Sequence, residues 1–275
     1  MPSGKKSKQA RRAAAAPPPV VSKGSGGARR RQANPRVLAI AGGVVALVVL
    51  AVVLAIVFTG GGKSSAATNF PAVGSLSNDY TLPGSSDIAD ELKGIPQKGM
   101  SLGNPKAPVT LLEYVDLQCP ICREFESTVM PDVIAKYVRK GKVRVETRVL
   151  QFIGPDSLKA RNAMIAAAKQ NKAYNFALVL YANQGTENTG WVTDDMLGQI
   201  ASSVPGLRVH ELFSEMGTSA VKSQGEVFDR QGAADKVPGT PTVYVGKTGT
   251  KGDVVALTAG NDYQAVATAL DNALG

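Results

Sequence analysis

Two cysteines, Cys119 and Cys122, are the only ones in a chain of 275 residues, and they are spaced as Cys119-Pro120-Ile121-Cys122. Two thiols one helical turn apart can close a disulfide, open it and exchange it with a passing thiol or disulfide. A plain structural disulfide and half of a zinc site compete with this reading. Zinc needs about four ligands, and with two Cys and one His, His210, the chain cannot complete a tetrahedral Cys-rich site by itself. The position of the pair favours redox chemistry. Val109, Thr110, Leu111, Leu112, Tyr114 and Val115 are strand formers leading up to it. After it, Phe125, Val129 and Val133 recur at helical spacing, with Glu124, Glu126 and Asp132 between them. Cys119 then falls at the N-cap, and Pro120 at the first helical position, where its missing N–H is not needed. Unpaired N–H groups and the helix dipole at that end stabilise a thiolate, which is the attacking species in exchange.

The elements that hold this centre follow in order. Strand alternation returns over Val143, Val145, Thr147 and Val149, with Arg144, Glu146 and Arg148 between them. Residues 156–235 read as helical: an Ala-rich stretch at 160–168, an apolar one at 174–181, one capped by Thr193 and running through Ile200, then 207–216 and 219–230. Strand character resumes at 242–245 and 254–257, with Gly246 to Gly249 as the hairpin turn, and 263–270 is a closing helix. Trp191, in a polar loop, reads as a packing anchor and His210 as a surface helix residue without catalytic partners.

The first part of the chain differs in kind. Residues 1–78 hold eleven Lys or Arg and no acid, whereas 79–275 hold twenty basic and twenty-two acidic residues. The net charge of +9 therefore belongs to the tail, and the folded part has no basic excess that would suit nucleic acid. Residues 1–36, rich in Lys, Arg, Ala, Pro and Gly, read as disordered and cytoplasmic. Residues 37–58 are an uncharged apolar run of twenty-two, long enough to cross a bilayer core of about 30 Å and longer than the apolar part of a cleaved signal peptide. Ten basic residues precede it and Lys63 follows. This predicts a single-pass signal anchor with its N-terminus in the cytoplasm and the rest outside. Residues 59–97 read as a flexible linker with a short helix at 87–93, capped by Ser86 and stopped by Gly94, and the globular domain is expected over 98–275.

Three marks carry a family resemblance: the lead-in Gly103-Asn104-Pro105-Lys106-Ala107-Pro108-Val109-Thr110, Glu113 six residues before Cys119, and Val237-Pro238-Gly239-Thr240-Pro241-Thr242-Val243-Tyr244-Val245. Over residues 95–275 the chain resembles the DsbA-like thiol–disulfide oxidoreductases. The resemblance implies an α/β thioredoxin fold with an inserted helical subdomain. It makes Cys119 the nucleophile, Cys122 the resolving cysteine, Glu113 a buried acid that relays the Cys122 proton, and Pro241 a cis-proline facing the disulfide. Thr240 before it would pair with an extended substrate. The family activity is disulfide formation in exported proteins, with no resident cofactor and with reoxidation by a quinone-linked membrane partner. A reductase or isomerase, and a CxxC copper-binding or chaperone module, are the alternatives. The chain departs from the best-known oxidases by carrying Pro120-Ile121 where they carry Pro-His, and by its membrane run. Ile121 offers neither hydrogen-bond donor nor charge, so the Cys119 pKa should be depressed less than in those relatives.

Overall fold

The computed structural model describes residues 81–275. The expected tail at 1–36, the apolar span at 37–58 and most of the linker lie outside them. Among the described residues no helix is long and apolar enough to cross a membrane.

Six strands form one sheet in the order β1-β2-β4-β3-β5-β6. They are β1 (Gln97–Lys98), β2 (Ser101–Leu102), β3 (Val109–Val115), β4 (Val143–Val149), β5 (Thr242–Lys247) and β6 (Asp253–Val254). β3 is central and buried along its whole length, parallel to β4 and antiparallel to β5. Its residues therefore face helices on one side and a partly covered surface on the other, which suits a run of apolar and β-branched side chains. The register aligns Glu113 with Thr147 on β4 and with Val243 on β5. Side chains alternate across a strand, so Leu111, Glu113, Val115, Val145 and Thr147 share one face, and Thr110, Leu112, Tyr114, Arg144, Glu146 and Arg148 share the other.

α2 (Pro120–Thr128) follows β3, and α9 (Tyr263–Leu274) packs on β3 and β5. Between β4 and β5 run α4 (Pro155–Lys169), α5 (Ala173–Ala182), α6 (Asp194–Ser202), α7 (Val209–Met216) and α8 (Ser219–Ala234). These match the expected helical insertion, with Thr193 capping α6 through a bond from the Met196 N–H. α8 covers part of the far face of the sheet, and at its end Tyr114 Oη donates to Asp235. His210 is exposed on α7, and Trp191 packs partly buried against the core. A thioredoxin fold with a helical insertion is thus present over the described residues.

Three local expectations differ from the structure. The helix after Cys122 does not run unbroken through Val133. It ends at Thr128, resumes as α3 (Met130–Val133) and loosens into a π turn over Ile134–Val138, because Pro131 has no N–H to continue the ladder. The hairpin turn is not Gly246–Gly249. β5 runs on to Lys247 and β6 is only two residues long; a Cβ at Gly246 would lie 2.4 Å from the Gly252 Cα, so this strand position takes glycine for the close approach of the neighbouring backbone.

The third concerns the linker. Residues 81–97 belong to the folded unit. α1 (Ser85–Leu92) starts after Gly84, at φ 80°, and not at a Ser86 cap. Leu82, Leu92 and Ile95 are buried. The Leu82 N–H donates to Ser203 Oγ at 2.9 Å, and Gln97 Nε2 donates to Asn175 Oδ1 at 2.7 Å. Arg139 donates to the carbonyls of Asp90, Glu91 and Lys93, placing a cation on the C-terminal end of α1. The Gly-rich composition that marks the linker stops before this stretch, and a few apolar residues are enough to dock a two-turn helix.

Candidate active site

The end of β3 delivers the chain into a tight turn, Asp116 to Cys119. Asp116 is fully buried and accepts the N–H groups of Gln118 (2.9 Å), Phe152 (2.8 Å) and Ile153 (3.0 Å). That carboxylate ties the turn to the loop after β4, and Gln184 Nε2 secures it from α5's far end by donating to Leu117 O and Cys119 O. Cys119 is the N-cap of α2, with extended dihedrals and Pro120 at the first helical position. Its Sγ accepts the Cys122 N–H at 3.4 Å and, as a thiol, donates to Thr240 O at 3.2 Å.

The Thr240–Pro241 peptide bond is cis, as the family resemblance implies. Across the helix start lies Gly260: a Cβ there would sit 2.9 Å from Ile121 O and 2.6 Å from a Glu124 carboxylate oxygen. The loop before α9 therefore presses on the first turn of α2 through bare backbone. Ile121 points out, 47% exposed, as does Phe152 at 53%.

The two thiols, both reduced, differ sharply. The Cys119 pKa is lowered to about 6. The largest cause is the hydrogen bond from the Cys122 thiol; partial burial works against it, and the N–H groups of Cys122 and Ile121 and the Thr240 side chain add to it. Cys122 is fully buried, and burial pushes its thiol well above the ordinary value. One sulfur is a thiolate at neutral pH and the other holds its proton.

Cys122 and two buried acids, one the sequence singled out and one it did not, all act on the buried Tyr181 phenol. Glu113 is 1% exposed. Burial raises its carboxyl to about 7, against the hydrogen bonds of Thr147 and Glu126. Thr147 Oγ1 donates to Glu113 Oε1 and also lies 2.7 Å from the Tyr174 hydroxyl. Glu113 Oε2 receives no N–H or hydroxyl donor. The Glu113 carboxyl neighbours that of Glu126, which is itself buried and pushed well up, first by burial and then by Glu113. Two carboxyls in contact cannot both ionise, so they share a proton. The signal for Glu126 was its spacing: it stands four residues after Cys122 on the same face of α2. Reading it as one of the helix's polar residues hid that role.

The structure thus brings Cys119, Cys122, Glu113, Thr240 and Pro241 together, with Pro120 and Ile121 over the helix start. Among the described residues no group of three or more His, Cys, Asp or Glu is placed to hold a metal ion.

Comparison with known proteins agrees with this geometry. A thioredoxin family model matches residues 96–260. The chain is 33% identical over 148 residues to the probable disulfide bond formation protein D of Bacillus cereus, covering 53% of this chain and 68% of that protein. It is 28% identical over 172 residues to disulfide bond formation protein D of Bacillus subtilis, covering 61% and 76%. Among solved structures, oxidised BdbD from Bacillus subtilis superposes with a TM-score of 0.57 at 25% identity, over 66% of this chain and 97% of that one. The α-DsbA1 of Wolbachia pipientis, at 21% identity and a TM-score of 0.51 over 72% and 96%, shares the fold. The chain belongs to the thioredoxin family, among its DsbA-like disulfide bond formation proteins, and is a thiol–disulfide oxidoreductase.

Proposed function

We propose that the protein oxidises dithiols in exported polypeptides, with Cys119 as the nucleophilic and Cys122 as the resolving cysteine. One observation carries this reading: the sulfur pair is asymmetric, with a stabilised thiolate at Cys119 over a buried, protonated Cys122. Stabilising the reduced form makes the disulfide the stronger oxidant. The oxidised centre starts as Cys119–Cys122. A substrate thiolate attacks Cys119 Sγ, the S–S electron pair leaves on Cys122 Sγ, and that sulfur takes a proton from the acid beneath it, which is the role assigned to Glu113. The second substrate thiolate then attacks the substrate sulfur of the mixed disulfide, and Cys119 leaves as a thiolate, a good leaving group at its depressed pKa.

Thr240 O and Pro241 flank Cys119 where an extended substrate would pair, one strand against the loop. Pro120 and Ile121 cover the helix start and set how much positive potential Cys119 receives. The name borne by the Bacillus relatives, disulfide bond formation protein, supports the oxidising direction. The apolar span 37–58 and the basic residues before it support a membrane-tethered protein with its catalytic domain outside. A membrane redox partner, quinone-linked as the family resemblance implies, would reoxidise the dithiol.

The test is trapping. Cys122→Ser expressed in cells should accumulate substrates as mixed disulfides on Cys119, and Cys119→Ser should accumulate none. Equal trapping by both variants would overturn the assignment of roles.

A further inference from the structure

The segment that faces Cys119 is short, and one residue holds it at both ends. It leaves α8 at Asp235, the C-cap, and enters β5 at Thr242. Tyr114 of β3 stands opposite Thr242 in the strand register, and its hydroxyl donates to Asp235 Oδ2 at 2.6 Å. Its backbone therefore fixes the far end of the segment and its side chain the near end. The strand carries Cys119 five residues beyond Tyr114, and the segment carries Thr240 five residues beyond Asp235. The two arms meet again where Cys119 Sγ donates to Thr240 O at 3.2 Å.

Several groups hold Tyr114 and Asp235 in this contact. Tyr114 is fully buried; burial first, and then Asp235, push its pKa up to about 12, so the hydroxyl keeps its proton and stays a donor. α8 lies against the ring at Gly232, where a Cβ would sit 3.7 Å from Tyr114 Cε1 and 3.1 Å from Leu150 Cδ2. Asp235 also meets Lys251 Nζ at 3.1 Å and Arg148 Nη1 at 3.4 Å, and its backbone carbonyl accepts Tyr244 Oη at 3.3 Å. Between its ends the segment has little freedom. Pro238 and Pro241 fix φ, the Val237 N–H donates to Gly232 O at 2.9 Å, and Thr242 Oγ1 donates to Gly239 O at 2.7 Å. A shift at Asp235 is thus carried to Thr240 instead of being absorbed on the way.

We propose that the Tyr114–Asp235 hydrogen bond is a clasp that sets the substrate-pairing edge at Thr240 against Cys119, with Tyr114 and Asp235 as positioning residues of the exchange. A substrate strand laid on Thr240 must bring its own sulfur onto Cys119 Sγ. The offset between the two arms therefore favours extended polypeptide dithiols. A thiol that cannot pair with the Thr240 backbone gains nothing from that offset.

The clasp presupposes exchange at Cys119 and strand pairing at Thr240, and the experiment separates the three. Oxidised full-length protein is reduced in single turnover by a dithiol peptide and by the same peptide N-methylated on the amides flanking its attacking cysteine. The proteins are the native chain, Tyr114→Phe, Asp235→Ala, Asp235→Asn and the double variant Tyr114→Phe/Asp235→Ala. A native chain that reacts with neither peptide would overturn the oxidoreductase reading and the clasp with it. A native chain that reacts equally with both would overturn the pairing at Thr240, and again the clasp. The native chain should instead favour the unmethylated peptide by about tenfold or more, within what correct placement of a reacting group supplies. Tyr114→Phe and Asp235→Ala should erase most of that advantage while leaving the methylated peptide within about twofold of its native rate. Asp235→Asn, which keeps an acceptor for Tyr114 Oη, should retain the advantage, and the double variant should be no worse than either single one. Single variants that keep the native advantage, or that slow both peptides alike, would overturn the clasp. So would losses that add in the double variant, because two halves of one contact do not add.

Discussion

Cys122→Ala removes the donor that does most to stabilise the Cys119 thiolate. With the Cys119 pKa at about 6, roughly 90% of it is thiolate at pH 7, one unit above. A hydrogen bond to a charged acceptor contributes about 1.5–3 kcal/mol, and one pKa unit is about 1.36 kcal/mol. Losing the Cys122 thiol should therefore raise the Cys119 pKa by about one to two units, leaving between roughly half and a tenth of it as thiolate at pH 7. Cys122→Ser, which keeps a hydroxyl donor, should fall between the two. A single alkylation rate would mask the effect, since a thiol of higher pKa is intrinsically more nucleophilic, with a Brønsted slope of about 0.4–0.5. The assay is the ultraviolet absorbance of the thiolate titrated over pH in all three proteins. A Cys122→Ala pKa within about 0.3 units of the native value would refute the reasoning. It would show that the helix N–H groups and Thr240 hold the thiolate without the second sulfur.

Three further expectations follow from named groups. Glu113 has its pKa raised to about 7 from 4.5, so the stability of its protonated form is fully present below the unfolded value and is lost as pH rises through about 7. Glu113→Gln should remove that loss, making unfolding by urea less pH-dependent between pH 5 and 8 by on the order of 2 kcal/mol; parallel pH profiles would count against a buried acid. Ile121→His places a donor or a positive charge over the helix start, and should lower the Cys119 pKa and raise the reduction potential together; a titration that moves neither quantity defeats the dipeptide argument. Protease added to wall-stripped cells should remove residues 81–275 and leave the tail protected. A mature N-terminus found within 59–80 would instead mean that the span 37–58 is cleaved off.

Much of the centre was legible because its signals are local. Cys119, Pro120 and Cys122 announce a helix start by type and spacing, and the Gly239-Thr240-Pro241 ending marks the loop that faces them. β4 matched its alternation at both ends. The misses are long-range. Glu126 reads as a polar helix residue until β3 places Glu113 against it. Glu91 reads as part of a tether until Arg139, forty-eight residues on, caps its helix. Gly246 reads as a turn until the approach of Gly252 shows why a strand needs it bare. In each case the deciding partner lies far along the chain, where no period or motif points.

The reduction potential of the Cys119–Cys122 pair tests the central claim most directly. Titrated in glutathione buffers, it should fall between about −120 mV, the value of the strongly oxidising DsbA archetype, and about −270 mV, that of thioredoxin. A potential at or below about −270 mV would contradict the account and make the protein a reductase.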